Sequence, residues 1–69
     1  MNKAIVLHDR YANEPIVIRT SAILAVQKRF DKDMPVEYTD VFTRTTVFNV
    51  SETIGEVIKK IKKAEGEKT

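Results

Sequence analysis

Very few side chains in this 69-residue chain could do catalytic chemistry. His8 is the single histidine, and a Ser21-His8-Asp9 triad can be written on paper. The spacing does not favour that triad, because adjacent strand residues such as His8 and Asp9 point to opposite faces. A lone histidine at a strand end is more often an ordinary surface or half-buried residue than a general base. We therefore expect no catalytic residue.

The sequence also contains few residues that could bind a metal ion or a cofactor. The chain has no cysteine and only two glycines, so thiolate ligands and a glycine-rich phosphate loop are both missing. Its carboxylates and its histidine do not cluster at metal-ligand spacing. We expect a protein that is not an enzyme and that has neither a cofactor site nor a metal site.

Lysines concentrate near the end of the chain. Residues 1–55 hold seven Lys+Arg and seven Asp+Glu, whereas residues 56–69 hold five lysines and three glutamates. Four of these lysines, Lys59, Lys60, Lys62 and Lys63, could contact the phosphate backbone of a nucleic acid. They could instead form the solvated face of a helix and complement the negative end of its dipole. We favour the solvated face, since the lysines spread around the whole outer arc and glutamates dilute them.

The segments that must position these residues are mostly strand-like. Branched and aromatic residues predict strands at 3–8, 15–20, 22–30, 36–42 and 45–50. The run 22–30 also fits helical spacing, but it is short and closely follows a strand, so we favour a strand. Thr43-Arg44 is a poor tight turn, and segment 36–50 is therefore either a hairpin or one long bent strand.

A helix from about residue 52 to 64 follows the last strand. Ser51 is the predicted N-cap, and Gly66 marks the end of the helix. Four apolar residues form a single stripe: Ile54, Val57, Ile58 and Ile61. We expect this stripe to contact Ile5, Leu7, Ile16, Ile18, Val26, Phe48 and Val50.

The predicted fold is therefore one α+β domain over residues 1–65, with residues 66–69 as a frayed tail. It has four to five strands in a mostly antiparallel meander, open or partly closed, and one C-terminal amphipathic helix. A domain of this size buries a thin core, for which self-association is a natural substitute. Apolar runs such as residues 4–7 are far shorter than the roughly 20 residues of a membrane span. No signal peptide opens the chain, so we expect a cytoplasmic protein without a membrane partner.

The layout resembles one known family. The segments TSAILAV (20–26) and VFNVSETIGEVIKKI (47–61) are similar to those of the small flagellar and swarming motility proteins, the FlbD-like family of bacteria and phages. The resemblance covers most of the chain and implies a small non-enzymatic protein that acts through protein contacts. It implies no catalytic or ligand residue.

Two functions follow as hypotheses. The first is an interaction or assembly module that forms homo-oligomers, or binds another protein, through an exposed strand edge or leftover apolar surface. The alternative is a weak nucleic-acid binder that uses the four lysines.

Overall fold

The computed structural model describes residues 3–66, and within that range it contains five β-strands and one α-helix. The strands are β1 (Ala4–His8), β2 (Pro15–Arg19), β3 (Ala25–Asp31), β4 (Val36–Phe42) and β5 (Val47–Val50). A 3-10 turn (Thr20–Ala22) follows β2, and the helix α1 (Ile54–Ala64) follows β5. The predicted α+β class is confirmed. The run 22–30 is a strand, as favoured, but it begins later, at Ala25, and extends to Asp31, because the 3-10 turn takes up Thr20–Ala22. Residues 67–69 of the predicted frayed tail lie outside the described residues.

The strands form two antiparallel sheets. β1 pairs with β2, and β4 lies between β3 and β5. One isolated bridge, Asp9 to Val50, joins β1 to β5. The order across both sheets is therefore β2-β1-β5-β4-β3, with β2 and β3 as the outer strands. The sheets are not closed, and β3-β4-β5 form an antiparallel meander, whereas β2 and β3 lie at opposite ends of the order.

β4 and β5 form a hairpin, so residues 36–50 are not one long bent strand. Its loop is longer than the two-residue turn that Thr43-Arg44 would have had to make. The Thr43 N–H and hydroxyl both donate to the Thr46 carbonyl at 2.9 Å, and the Thr46 N–H donates back to that hydroxyl at 3.2 Å. A threonine side chain thus closes the loop where a tight turn would need glycine or asparagine.

The buried core is small. β1 and β2 supply Ile5, Leu7 and Ile18, the second sheet supplies Val41 and Val50, and α1 supplies Val57. The seven predicted partners of the helix are either in this core or packed against it. Val41 was missed because the other residues on its face of β4, Glu37 and Thr39, are polar. Its burial follows from the central position of β4, which sequence pattern alone did not reveal.

The helix begins later than predicted, and the predicted N-cap Ser51 is wrong. Thr53 is the N-cap: its hydroxyl accepts from the Glu56 N–H at 3.2 Å, and the Glu56 carboxylate accepts from the Thr53 N–H at 2.8 Å. Ser51 still belongs to the strand region, because its N–H donates to the His8 carbonyl. Gly66 has φ 83° just after the helix, the left-handed conformation that glycine favours there.

One member of the predicted helix stripe is also wrong. Ile58 remains 39% exposed, whereas Val57 is fully buried and Ile61 and Ala64 pack against the core. Val57, Ile61 and Ala64 are spaced four and then three residues apart and so define the inner face. Ile58 lies at its rim because the face is rotated toward Val57. Among residues 3–66, no helix is long and apolar enough to span a membrane.

Candidate functional site

The four predicted lysines do not form one free cluster. Lys60 turns toward β1, where its Nζ donates to the Val6 carbonyl at 2.8 Å and lies 4.0 Å from the Glu52 carboxylate. Lys59, Lys62 and Lys63 are exposed. Their spacing of three and four residues places these three on one side of α1. The lysine site therefore reduces to three solvent-facing cations.

Glu52 completes the edge of β1 beyond its bridge to β5. Its Oε1 accepts from the His8 N–H at 2.9 Å, and its Oε2 lies 2.7 Å from the His8 Nδ1. The Glu52 carbonyl accepts from the hydroxyl of the fully buried Thr39 at 2.8 Å. The side chains of Glu52 and Lys60 thus form hydrogen bonds with the His8 N–H and the Val6 carbonyl. β5 is too short to provide partners for these two backbone groups.

The same contacts determine the ionisation of Glu52 and the role of His8. Burial raises the pKa of Glu52, but hydrogen bonds from the side chain and backbone of His8 outweigh it, and the net pKa is lowered. The carboxylate of Asp9 accepts from the N–H groups of Tyr11 and Ala12 instead of orienting the His8 ring. His8 therefore connects β1 with the segment before α1. The Ser21-His8-Asp9 triad is not assembled.

Arg10 anchors the β1–β2 loop to the β3–β4 hairpin. Its guanidinium donates to Asp31 at 2.8 Å and lies over the rings of Tyr38 and Tyr11, at 3.8 and 4.7 Å from their centroids. Only 7% of the Arg10 side chain is exposed. The hydrogen bond from Arg10, with two more from the N–H groups of Met34 and Asp33, lowers the pKa of Asp31. Ion pairing and ring stacking thus satisfy this arginine within the chain.

The outer strand β3 presents an open edge of seven residues. Its two cations are matched by carboxylates on β4: Lys28 lies 3.6 Å from Glu37, and Arg29 lies 3.5 Å from Asp40. Phe30 follows them and is 58% exposed. The edge is therefore close to electrically neutral and ends in an exposed ring.

A groove of about 410 Å³ lies between the end of β2, the 3-10 turn and the β4–β5 loop. Val17 and Leu24 line it and are 70% and 64% exposed. Arg19 and Arg44 also line it. Within residues 3–66 neither arginine has a carboxylate at ion-pair distance, in contrast to Arg10 and Arg29. The groove therefore combines apolar surface with two cations that have no acidic partner in the described chain.

Sequence reasoning missed Glu52, Arg10 and the groove arginines as positioned groups. The turn of Glu52 toward β1 has no local sequence signal. Arg10 lies in a polar loop, and Arg19 and Arg44 are 25 positions apart in the chain. Pairings of this kind depend on tertiary contacts between segments that are distant in sequence.

Among residues 3–66 there is no group of three or more histidine or carboxylate side chains arranged to hold a metal ion. Comparison of the chain with protein-family models, curated proteins and solved structures finds no match. The resemblance to the FlbD-like family therefore stays a prediction.

Proposed function

We propose that this protein is a small non-enzymatic interaction module that self-associates in the cytoplasm. One observation supports it most strongly: within residues 3–66, nine large apolar or aromatic side chains are exposed, whereas six hydrophobic residues form the buried core. The exposed nine are Val6, Tyr11, Val17, Leu24, Phe30, Met34, Val36, Val47 and Ile58. A core of only six buried hydrophobic residues, beside nine large ones that are exposed, is completed most simply by contact between chains.

The outer edge of β3 is the proposed contact. The other outer strand, β2, begins with Pro15, which has no N–H to donate to a neighbouring strand. β3 has no proline along its seven residues. An open, unprotected edge can pair with the same edge of a second copy around a twofold axis, giving a closed dimer.

The paired charges along β3 allow the β3 edge of a second copy to come close. Lys28 and Arg29 would repel their counterparts in a second copy if they were unpaired. Each instead lies beside a carboxylate on β4, at 3.6 and 3.5 Å. The second copy would therefore meet a neutral edge, to which Phe30 adds apolar area.

A charge placed at this edge tests the proposal. We expect Phe30→Lys to shift the wild-type dimer to a monomer, measured by size-exclusion chromatography with light scattering. Val47→Lys is the matched control, because Val47 is also an exposed apolar residue but lies on β5, which is not an outer strand. Circular dichroism checks that both variants fold. A dimer that survives Phe30→Lys, or dissociates equally with Val47→Lys, would argue against the β3 edge.

Nucleic-acid binding remains the alternative, supported by the three exposed lysines on one side of α1. Lys59, Lys62 and Lys63 could each contact a phosphate, and the resulting affinity would fall steeply with salt. Lys60 is engaged with Val6 and contributes little in this case. Replacing the three exposed lysines with glutamine should abolish such binding and leave self-association intact, as a titration of single-stranded DNA at low and moderate salt would reveal.

A further inference from the structure

We propose that the groove between β2, the 3-10 turn and the β4–β5 loop binds an extended segment of a partner protein, one that carries a carboxylate beside an aliphatic side chain. This site goes beyond self-association and uses a different outer strand. Its size, about 410 Å³, is within the range of roughly 300–1,000 Å³ typical of ligand pockets. The inference rests on three features of the groove: its charge, its apolar surface and its open backbone edge.

The charge of the groove selects an acidic ligand. Its lining includes Arg19 and Arg44 and contains no aspartate or glutamate. Arg10 and Arg29, outside the groove, are each matched by a carboxylate of the chain. Arginine side chains bind carboxylates through strong, directional hydrogen bonds. The pair in the groove therefore favours a carboxylate supplied from outside the described chain.

The apolar surface of the groove selects an aliphatic neighbour for that carboxylate. Val17 and Leu24 are largely exposed along it, and Ile18 and Phe48 lie deeper, one in the core and the other packed against it. Phe48 is the one aromatic ring in the lining. Single-stranded nucleic acids need several exposed rings on which bases stack. The surface therefore fits branched side chains better than a series of bases.

The open edge of β2 selects an extended backbone. The N–H groups of Asp9 and Thr20 donate to Glu14 and Lys3 across the β1–β2 hairpin. Because hydrogen-bonded pairs alternate in an antiparallel ladder, Val17 and Arg19 turn their backbone groups away from β1. These groups border the groove. Pro15 interrupts the edge at its start, which leaves room for a short added strand only.

The partner is a different protein because this chain offers few free carboxylates. Seven of the acidic side chains among residues 3–66 already accept hydrogen bonds or ion pairs within the chain: Asp9, Asp31, Glu37, Asp40, Glu52, Glu56 and Glu65. The other two in that range, Glu14 and Asp33, adjoin no valine, isoleucine or leucine, so a second copy could offer the required segment only by breaking one of these contacts. An external acidic segment carries no such cost.

The test is selection from a random eight-residue peptide library displayed on phage, with the full chain as the target. We expect enrichment of sequences in which aspartate or glutamate adjoins valine, isoleucine or leucine. The double variant Arg19→Gln/Arg44→Gln should lose this enrichment and bind a selected peptide about tenfold or more weakly. Lys62→Gln/Lys63→Gln is the matched control, because it removes the same charge from α1 and should bind as the wild type does.

Nuclear magnetic resonance then locates the binding. A selected peptide should shift the backbone amides of Val17 and Arg19, and replacing its acidic residue with the matching amide should weaken binding by a similar factor. Selection of non-acidic peptides, equal binding by the arginine variant, shifts centred elsewhere, or tighter binding of an oligouridine probe at the same amides would each overturn the proposal. Phe30→Lys should keep peptide binding even where it abolishes the dimer, so the two proposals fail separately.

Discussion

The carboxylate of Glu52 receives both the backbone N–H and the ring nitrogen of His8, at 2.9 and 2.7 Å. These residues are 44 positions apart, and their contact joins the segment before α1 to the strand that opens the domain. It supplies the partner that β1 lacks beyond the Asp9 to Val50 bridge. The contact is therefore a structural link between the first strand and the start of the helix.

Removing this link should destabilise the fold. Glu52→Ala leaves a partly buried N–H and a ring nitrogen of His8 without their acceptor, which should lower the free energy of unfolding by about 1–3 kcal/mol. Urea denaturation measures the change. Glu37→Ala is the control, because Glu37 forms an exposed pair with Lys28 and should cost about 0–1 kcal/mol. Equal losses in the two variants would contradict the structural role of Glu52.

Acid should destabilise the protein through Glu52 and Asp31. Both groups have a pKa in the folded chain below the ordinary value, Glu52 because bonds from His8 outweigh burial and Asp31 because of Arg10. A lowered folded pKa stabilises the protein above the unfolded pKa, about 4.3 for glutamate and 3.9 for aspartate, and that stability is lost as pH falls through the folded pKa. Urea midpoints should therefore fall as pH drops below about 4.

The acid dependence has its own control. Glu52→Gln cannot ionise, so its stability should fall less steeply between neutral pH and acid than that of the wild type. If the urea midpoints of the two proteins fall in parallel as the pH is lowered, Glu52 does not contribute to the loss of stability in acid.

The rotated face of the helix can be tested with two adjacent substitutions. Val57→Asp places an unpaired charge in the core and should unfold the domain. Ile58→Asp changes a side chain that is 39% exposed, and the protein should stay folded. Circular dichroism melts distinguish these outcomes. A cooperative melt for Val57→Asp, or none for Ile58→Asp, would mean that Ile58 is the buried residue.

The position of the helix N-cap can be tested by comparing substitutions at Thr53 and Ser51. Thr53→Ala removes the acceptor for the Glu56 N–H and should cost about 0.5–2 kcal/mol. Ser51→Ala removes a hydroxyl that lies 3.5 Å from the His8 carbonyl and should have little effect. Thermal or urea unfolding measures both. A larger loss for Ser51→Ala would place the cap where the sequence first suggested.

Much of the fold could be predicted because its signals are local. The branched strands, the amphipathic helix with Val57 and Ile61 on its inner face, and Gly66 at its end each follow from spacing or backbone preference, and the structure confirms them. The errors at Ser51 and Ile58 have one cause: tertiary contacts decide between neighbours that are locally equivalent. Ser51 and Thr53 are both good caps, but the ladder to His8 retains Ser51. The helix could present Val57 or Ile58, and its contacts with the sheets select Val57.

The candidate sites were less predictable. The lysines were evident from composition, but the turn of Lys60 toward Val6 was not. Arg19 and Arg44 line one groove only because β2 and the β4–β5 loop border it. The open edge of β3 required the strand order, in which β3 pairs with β4 alone. Such features arise from long-range pairing and have no counterpart in local periodicity.

Sedimentation equilibrium of the purified chain at micromolar concentrations, at low and high salt, tests self-association most directly. We predict a dimer whose affinity changes little with salt, since backbone pairing and apolar contact at a neutral β3 edge hold it together. A protein that stays monomeric at every concentration and in both salts would contradict the account.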